Sequence, residues 1–392
     1  MNRMNFTEEH QLFRESLKDF LQKEVVPHIE KWEETGTIDK FIWPKFGEMG
    51  FFGLATAEED GGLDLDLFYT IVLLEELQKI NSGGFAAAIW AHVYLAMTHL
   101  NKNGNAYQKD TYLKPSVNGD LVGCLGVSEP FGGSDVAGMR TTAIKLGDNY
   151  IVNGSKTFIT NGVYADYVIL AAKTNPEMGN KGISILIVDL KSDGVSANKL
   201  NKLGWKASDT AELAFDNVVV PASNLMGAEG SGFTFIMEAF ALERLIMGVN
   251  AHARAEYALD YALNYMAERE TFGKTIDQYQ ALRHRFVDLY ADMEMCRQYN
   301  YYVVDGMNKG EYMVKEATIS KLKSTKMADE VIYSCLQFLG GYGYMEDYPM
   351  ARMFRDSRLG PIGGGTSEIL REIIAKIIID KKEYKAPKEQ VF

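Results

Sequence analysis

What most constrains this chain is that its residue texture changes twice. Near the N-terminus Phe6, Leu12, Phe13, Leu17, Phe20, Leu21 and Val25 follow one another largely in steps of three and four, the spacing of one helix face. Thr7 before two acidic residues reads as the helix cap, and Pro27 is expected to end the run. Leu67–Ile80 and Phe85–Asn101 read as further helices, set off by Asp60-Gly61-Gly62 and Gly83-Gly84. Around Leu121 the pattern turns to short runs, most of them rich in β-branched and aromatic residues: Leu121–Val127, Tyr150–Val152, Thr157–Thr160, Tyr167–Ala172, Ile183–Asp189 and Ala211–Val220. Gly147-Asp148, Asn153-Gly154 and Asn161-Gly162 punctuate them, and Asn-Gly between strands is a strong hairpin signal. From Ser231 helical texture returns in Gly232–Ala267, Asp277–Lys309, Met313–Leu339 and Glu368–Ile379, with a polar tail, Lys381–Phe392, expected to fray. The order α, β, α predicts an α+β protein. Its parts are an N-terminal α-helical domain (1–120), a middle antiparallel β-barrel or sandwich (121–230) and a C-terminal four-helix bundle (231–392).

Charge and cysteine content narrow the function classes. Lys and Arg number 41 against 53 Asp and Glu, a net charge of −12, with no basic block, so a broad nucleic-acid surface is not expected. Three well-separated cysteines, Cys124, Cys296 and Cys335, argue against a disulfide scaffold or a cysteine zinc site and fit a reducing compartment. No apolar run reaches the ~18 residues of a membrane span. Acidic residues by Glu8 and Glu9, with no apolar core behind them, argue against a leader peptide. A cytoplasmic location, or a mature form if the source is an organelle, with no membrane insertion and no metal centre is therefore expected.

Two glycine-rich segments carry the chemistry. Gly126-Val127-Ser128-Glu129-Pro130-Phe131-Gly132-Gly133-Ser134-Asp135 leaves a strand and enters a loop able to present backbone N–H groups to a ligand. It has neither the glycine spacing of a dinucleotide fingerprint nor the Gly-Lys-Ser/Thr of a P-loop. Gln337-Phe338-Leu339-Gly340-Gly341-Tyr342-Gly343 ends a helix in a glycine turn, which a helix C-cap alone explains. Together, the two segments resemble signature motifs of the acyl-CoA dehydrogenase family, and the α–β–α order extends the resemblance from about Phe6 to Lys381.

The resemblance implies an FAD enzyme that oxidises an acyl-CoA thioester to a trans-2-enoyl-CoA. It also implies electron delivery to an electron-transfer flavoprotein and a homotetramer with FAD near subunit interfaces. Leu125, Val127, Ser128, Gly133 and Ser134 resemble the strand and loop over the flavin ring, with Ser134 also touching substrate. Phe158 and Thr160 resemble the aromatic-x-Thr on its other side. Arg269 and Phe272 belong to a segment similar to Arg-x-x-Phe-Gly, whose Arg reaches the FAD diphosphate; a guanidinium suits that contact. Gln280, Gln337, Gly340 and Gly341 match FAD contacts made across the interface, and Thr366 and Glu368 match the last contact. Thr366 is also placed to cap a helix.

One departure is informative. Many family members carry the base in a Tyr-Glu-Gly-Thr segment, but this chain reads Ile362-Gly363-Gly364-Gly365-Thr366, and Gly364 cannot take a proton. The sequence offers one candidate in its place, Glu243. Its helical neighbours Ala239, Phe240, Ile246 and Met247 are apolar, and no opposite charge stands at helical spacing. An acid so surrounded loses solvation and its pKa rises, as a general base near neutral pH requires. An interface ion pair with a distant partner is the competing explanation. Glu243-Arg244 resembles the base placement of the isovaleryl- and long-chain-type subset, and Gly364-Gly365-Thr366-Ser367-Glu368-Ile369 resembles the long-chain type. The resemblance then implies Glu243 as base, with Gly364 and Arg244 on the substrate side. The Gly364 N–H and a flavin ribityl hydroxyl would polarise the thioester carbonyl; Arg244 would anchor either the helix or the CoA arm. Alternatives are an acyl-CoA oxidase, a flavin monooxygenase on the same fold, and a non-catalytic acyl-CoA-binding protein. Acyl chain length is not fixed by the sequence.

Overall fold

A computed structural model describes residues 6–382, so the tail beyond Lys382 lies outside the described residues. The first helix, Glu8–Phe20, is capped by Thr7, whose side chain accepts from the His10 N–H while His10 Nδ1 accepts from the Thr7 N–H. Leu17, Leu21 and Val25 are buried, as their spacing requires. Pro27 does not end the helical path. It sits in the first turn of a short 3-10 segment, Val26–His28, where a missing N–H costs little, and the helix Ile29–Thr35 follows. That helix and Ile42–Glu48 lie in a stretch the helical periodicity does not mark. Leu67–Lys79 is buried on nearly all sides. So is Gly83–Trp90, which continues through Ala91–Met97 and Thr98–Asn103, so the alanines there are interior packing residues.

The middle region is one eight-stranded sheet: β1 (Gly123–Gly126), β2 (Thr142–Leu146), β3 (Asn149–Thr160), β4 (Tyr167–Lys173), β5 (Ile183–Asp189), β6 (Val195–Lys199), β7 (Thr210–Pro221) and β8 (Leu225–Met226). The order is β6-β7-β3-β2-β4-β5-β8, with β1 attached to β4. Most pairings are antiparallel, as expected, but β1 runs parallel to β4, and Thr142 meets Lys173 in a parallel bridge. Of the three turn pairs, Gly147-Asp148 alone closes a hairpin, with Leu146 opposite Asn149. Asn153-Gly154 lies inside β3, where a bulge absorbs the glycine at φ +141° and the strand runs on. Asn161-Gly162 ends β3, but the following β4 pairs elsewhere in the sheet. The buried run Tyr167–Ala172 makes β4 the interior strand; each such Val, Ile or Leu contributes about 1.5–3 kcal/mol.

The C-terminal region packs Gly232–Glu268, Gln280–Asn308, Val314–Leu339 and Ser367–Ile378, with Pro349–Ser357 beside them. The second of these starts later than Asp277 because Ile276–Gln278 is a 3-10 turn. Asp356 ties the three regions together: its carboxylate accepts from the Gly83 N–H at 3.0 Å and the Trp205 N–H at 2.6 Å.

Candidate active site

The helix Gly232–Glu268 is 37 residues long, about 55 Å. It starts hard against the sheet, since a Cβ on Gly232 would lie 2.6 Å from the Ser184 carbonyl carbon. Two turns beyond Ala241 it presses on Val314–Leu339: any side chain at Gly248 would run into Ser320. That close approach seals Glu243 and Arg244, which are 8% and 7% exposed. Glu243 Oε1 has no hydrogen-bond partner. Burial pushes its carboxyl up to about 7, opposed by the charge of Arg244. The Arg244 guanidinium reaches Thr318 Oγ1 at 3.3 Å and lies over the Phe240 ring at 5.6 Å.

The opposite wall is the turn from Pro361 to Ser367. The Ile362 and Gly363 N–H groups both donate to the Leu359 carbonyl, and Ser367 N–H donates to Pro361. Gly364 and Gly365 both adopt left-handed backbone, φ +60° and +91°. Among the described residues the Gly364 N–H has no acceptor. A Cβ there would lie 3.6 Å from Lys321 Cε and 3.7 Å from Met247 Cγ, so this turn faces the helix carrying Glu243. Thr366 caps Ser367–Ile378, accepting from the Ile369 N–H at 3.4 Å, and Glu368 is exposed in the first turn of that helix.

Lys321 carries no signal of its own in sequence. It is wholly buried, and its Nζ donates to the Gly365 carbonyl at 2.5 Å. One clue exists: Val314, Ala317, Thr318, Lys321, Thr325 and Ala328 form one buried stripe at helical spacing, with a lysine standing among small and apolar residues. Beyond Met247 a cavity runs between the helices, walled by Trp90, Trp205, Asn250, Arg254, Asp356 and Gly360. Arg254 donates twice to Gln78 Oε1 at 2.7 and 2.9 Å, and Asn250 accepts from Gln78 at 2.5 Å.

On the middle domain, Ser128 and its neighbours form a second face. Leu125 and Val127 are half-buried on and just after β1, while Gly133 and Ser134 are exposed on the loop. The loop is anchored from below: the buried Glu129 accepts from the Arg140 N–H, the Thr141 N–H and the buried Lys156 Nζ. The Thr157 N–H donates to the Ser128 carbonyl at 2.9 Å, which sets Phe158 beside the loop. Phe158 has a positive φ of +60° and leaves its ring 72% exposed; Thr160 is half-buried on the same strand.

The third group does not join the other two within one chain. Arg269 follows the long helix, 26 residues past Glu243, which is about 39 Å along its axis. Its guanidinium lies over the Tyr342 ring at 5.7 Å, next to the exposed Gln337, Gly340 and Gly341. Phe272 is 99% exposed, and Gln280 is exposed nearby at the start of the next helix. Gly340 and Gly341 would meet nothing within 4 Å if they bore a Cβ, so this surface is open.

The fold thus sets a buried carboxylate with one unbonded oxygen against a glycine turn, and on its middle domain presents a β-sheet face with an exposed aromatic ring, in an α–β–α chain. The chain matches the acyl-CoA dehydrogenase N-terminal domain over residues 7–120, the middle domain over 124–218 and the C-terminal domain over 230–379. It belongs to the acyl-CoA dehydrogenase family and is an oxidoreductase of that class. It is 36% identical to the long-chain specific acyl-CoA dehydrogenase of Sus scrofa, over 96% of this chain and 88% of that one. It is 37% identical to the isovaleryl-CoA dehydrogenase of Arabidopsis thaliana, over 93% of this chain and 90% of that one. The crystal structure of an acyl-CoA dehydrogenase from Geobacillus kaustophilus superposes with a TM-score of 0.93 at 38% identity, covering 96% of this chain and 99% of that one.

Proposed function

We propose that the protein removes the α proton of an acyl-CoA thioester with Glu243 while the β hydrogen leaves as hydride, giving a trans-2-enoyl-CoA. The observation that carries this reading is the buried Glu243 carboxyl with a free oxygen and a pKa raised to about 7. Such a group is ionised enough near neutrality to accept a proton, and basic enough to hold it. The unbonded Gly364 N–H on the facing turn stabilises the negative charge that develops on the thioester oxygen as the α proton leaves. Arg244, against Thr318 and Phe240, is held as an anchor of the base helix. The acyl tail would lie among the helices of the first and last domains.

The family binds FAD, and this chain's residues fit it. The exposed Phe158 ring offers a flat apolar face, and the loop at Ser128 to Ser134 lies beside it with exposed backbone and hydroxyls. Bound there, the flavin supplies the hydride acceptor. Arg269, with its five fixed donors, suits the diphosphate. Because it stands about 39 Å along the helix from Glu243, it would serve the flavin of a neighbouring copy. This favours a homo-oligomer, as a tetramer, with Gln280, Gln337, Gly340 and Gly341 across the interface. Electrons would then pass to an electron-transfer flavoprotein.

An anaerobic titration of the holoprotein with straight and branched acyl-CoA thioesters tests the reaction. Flavin bleaching is expected, and the best bleacher names the acyl class. A yellow protein bleached by none of them sinks the reading, and fast reoxidation by oxygen moves it to an oxidase.

A further inference from the structure

We propose that Lys321 is a positioning residue whose side-chain nitrogen, by holding the Gly365 carbonyl, fixes the left-handed glycine turn that aims the Gly364 N–H at the thioester oxygen. The inference rests on the reading of Glu243 and Gly364 given above and adds a residue to it.

Three successive glycines, Gly363 to Gly365, have no side chains to hold a conformation, and glycine pays the largest backbone entropy on ordering. The ends of the turn are tied to Leu359 and Pro361. Between those ties, among the described residues, the hydrogen bond from Lys321 Nζ to the Gly365 carbonyl, 2.5 Å, is the pin. The lysine stem also runs alongside the turn: its Cε lies 3.6 Å from where a Cβ on Gly364 would stand. Lys321 therefore holds the peptide that leaves Gly365 and flanks the Gly364 Cα, next to the N–H whose direction the turn sets.

Placing a lysine there is unfavourable for stability alone. The residue is wholly buried, and among the described residues no carboxylate pairs with it. Burial, with the like charge of Arg244 added, pushes its pKa down to about 7. A methionine of similar length would fill the same stripe without the desolvation cost. A buried amine that makes its bond to a flexible catalytic turn, in a place where an apolar residue would pack better, points to a role in the geometry of that turn. The bond needs only an N–H donor, so it holds whether the amine is charged or neutral.

The test uses the FAD-loaded protein and its Lys321→Met and Lys321→Gln variants. Two readouts are taken: steady-state kcat and KM, and the long-wavelength absorption that forms when the bound enolate of a 3-thiaacyl-CoA lies against oxidised flavin. That band reports how acidic the site makes the α carbon, which a packing role does not set. For Lys321→Met, kcat is expected to fall about 10- to 100-fold with KM little changed, somewhat less than deleting an oxyanion donor outright. The band should weaken in parallel. Lys321→Gln, with a donor on a shorter stem, should fall between wild type and Lys321→Met. Unchanged kcat and band in Lys321→Met overturn the proposal, as does a loss of kcat with the band intact. If Lys321→Met loses flavin, Lys321→Gln is read by the same criteria; flavin loss in both assigns Lys321 to the scaffold and overturns it too. A wild-type protein that neither bleaches nor forms the band with any thioester fails the parent reading, an outcome visible before any variant is made.

Discussion

Two buried carboxylates in this molecule have opposite fates. Glu129, under the loop of the middle domain, accepts from two backbone N–H groups and from the buried Lys156 at 2.8 Å. Burial pushes its pKa up, but Lys156 and those hydrogen bonds outweigh it and hold the carboxyl below its ordinary range. Glu243, on the long helix, keeps one oxygen without a partner, and burial leaves its carboxyl at about 7. The first is a satisfied charge that shapes a loop. The second is an unsatisfied charge, poised to change its proton. Burial alone does not separate scaffold from chemistry; what separates them is whether the hydrogen-bonding capacity is filled.

Removing each charge should therefore break a different property. Glu243→Gln keeps shape and volume, so flavin content and melting should survive while turnover falls by about 10²- to 10⁴-fold, the usual span for a general base. Anaerobic rapid-mixing reduction by the best thioester measures it; retained turnover would move the base elsewhere. Lys156→Met should do the reverse and leave Glu129 buried without its cation. The expected loss is about 3–5 kcal/mol in stability, read by denaturant unfolding. Adding Glu129→Gln to that variant should recover much of it, because the stranded charge is gone. If Lys156→Met melts normally, the contrast between the two sites collapses.

The raised pKa of Glu243 sharpens the comparison further. Folded, the group holds its proton up to about pH 7; unfolded, it releases it near 4.5. Between those values the folded chain binds more protons, so stability falls as pH rises, and the penalty is complete above pH 7. The expected size is about 3 kcal/mol. Glu243→Gln should accordingly be more stable than wild type at pH 8 and equal to it below pH 4.5. In wild type, kcat/KM should climb with pH through about 7 as the base ionises. A pH-independent stability difference would mean that Glu243 has a partner in solution.

Sequence made some of this legible and hid the rest for physical reasons. Glu243 was readable because an acid among Ala239, Phe240, Ile246 and Met247 violates helical amphipathicity. The long helices were readable because their periodicity runs over many turns. The Asn153-Gly154 pair misleads because a bulge and a hairpin demand the same permissive residues, and only pairing with β7 decides between them. Pro27 misleads because a proline stops a helix in its interior but suits a first turn. Lys321 stayed hidden because its partner is a backbone carbonyl 44 residues away, and backbone carbonyls leave no mark in sequence.

The smallest expected effect concerns the position where the base is missing. Gly364 has φ +60°, yet a Cβ there meets nothing closer than 3.6 Å, an ordinary contact. Gly364→Ala should then cost only the left-handed backbone penalty, about 1–2 kcal/mol. The same Cβ position lies 3.7 Å from Met247, one helical turn after Glu243, so a carboxylate grown from residue 364 enters the pocket from the facing wall. Gly364→Glu placed in the Glu243→Gln background should restore part of the lost turnover. Its proton acceptor would then stand on the Lys321 side of the site rather than next to Arg244. Restoration would mean that the site demands a carboxylate in the pocket and tolerates either wall as its source. With flavin retained and no restoration, the demand would be for Glu243's own unfilled oxygen, on the rigid helix rather than on the turn.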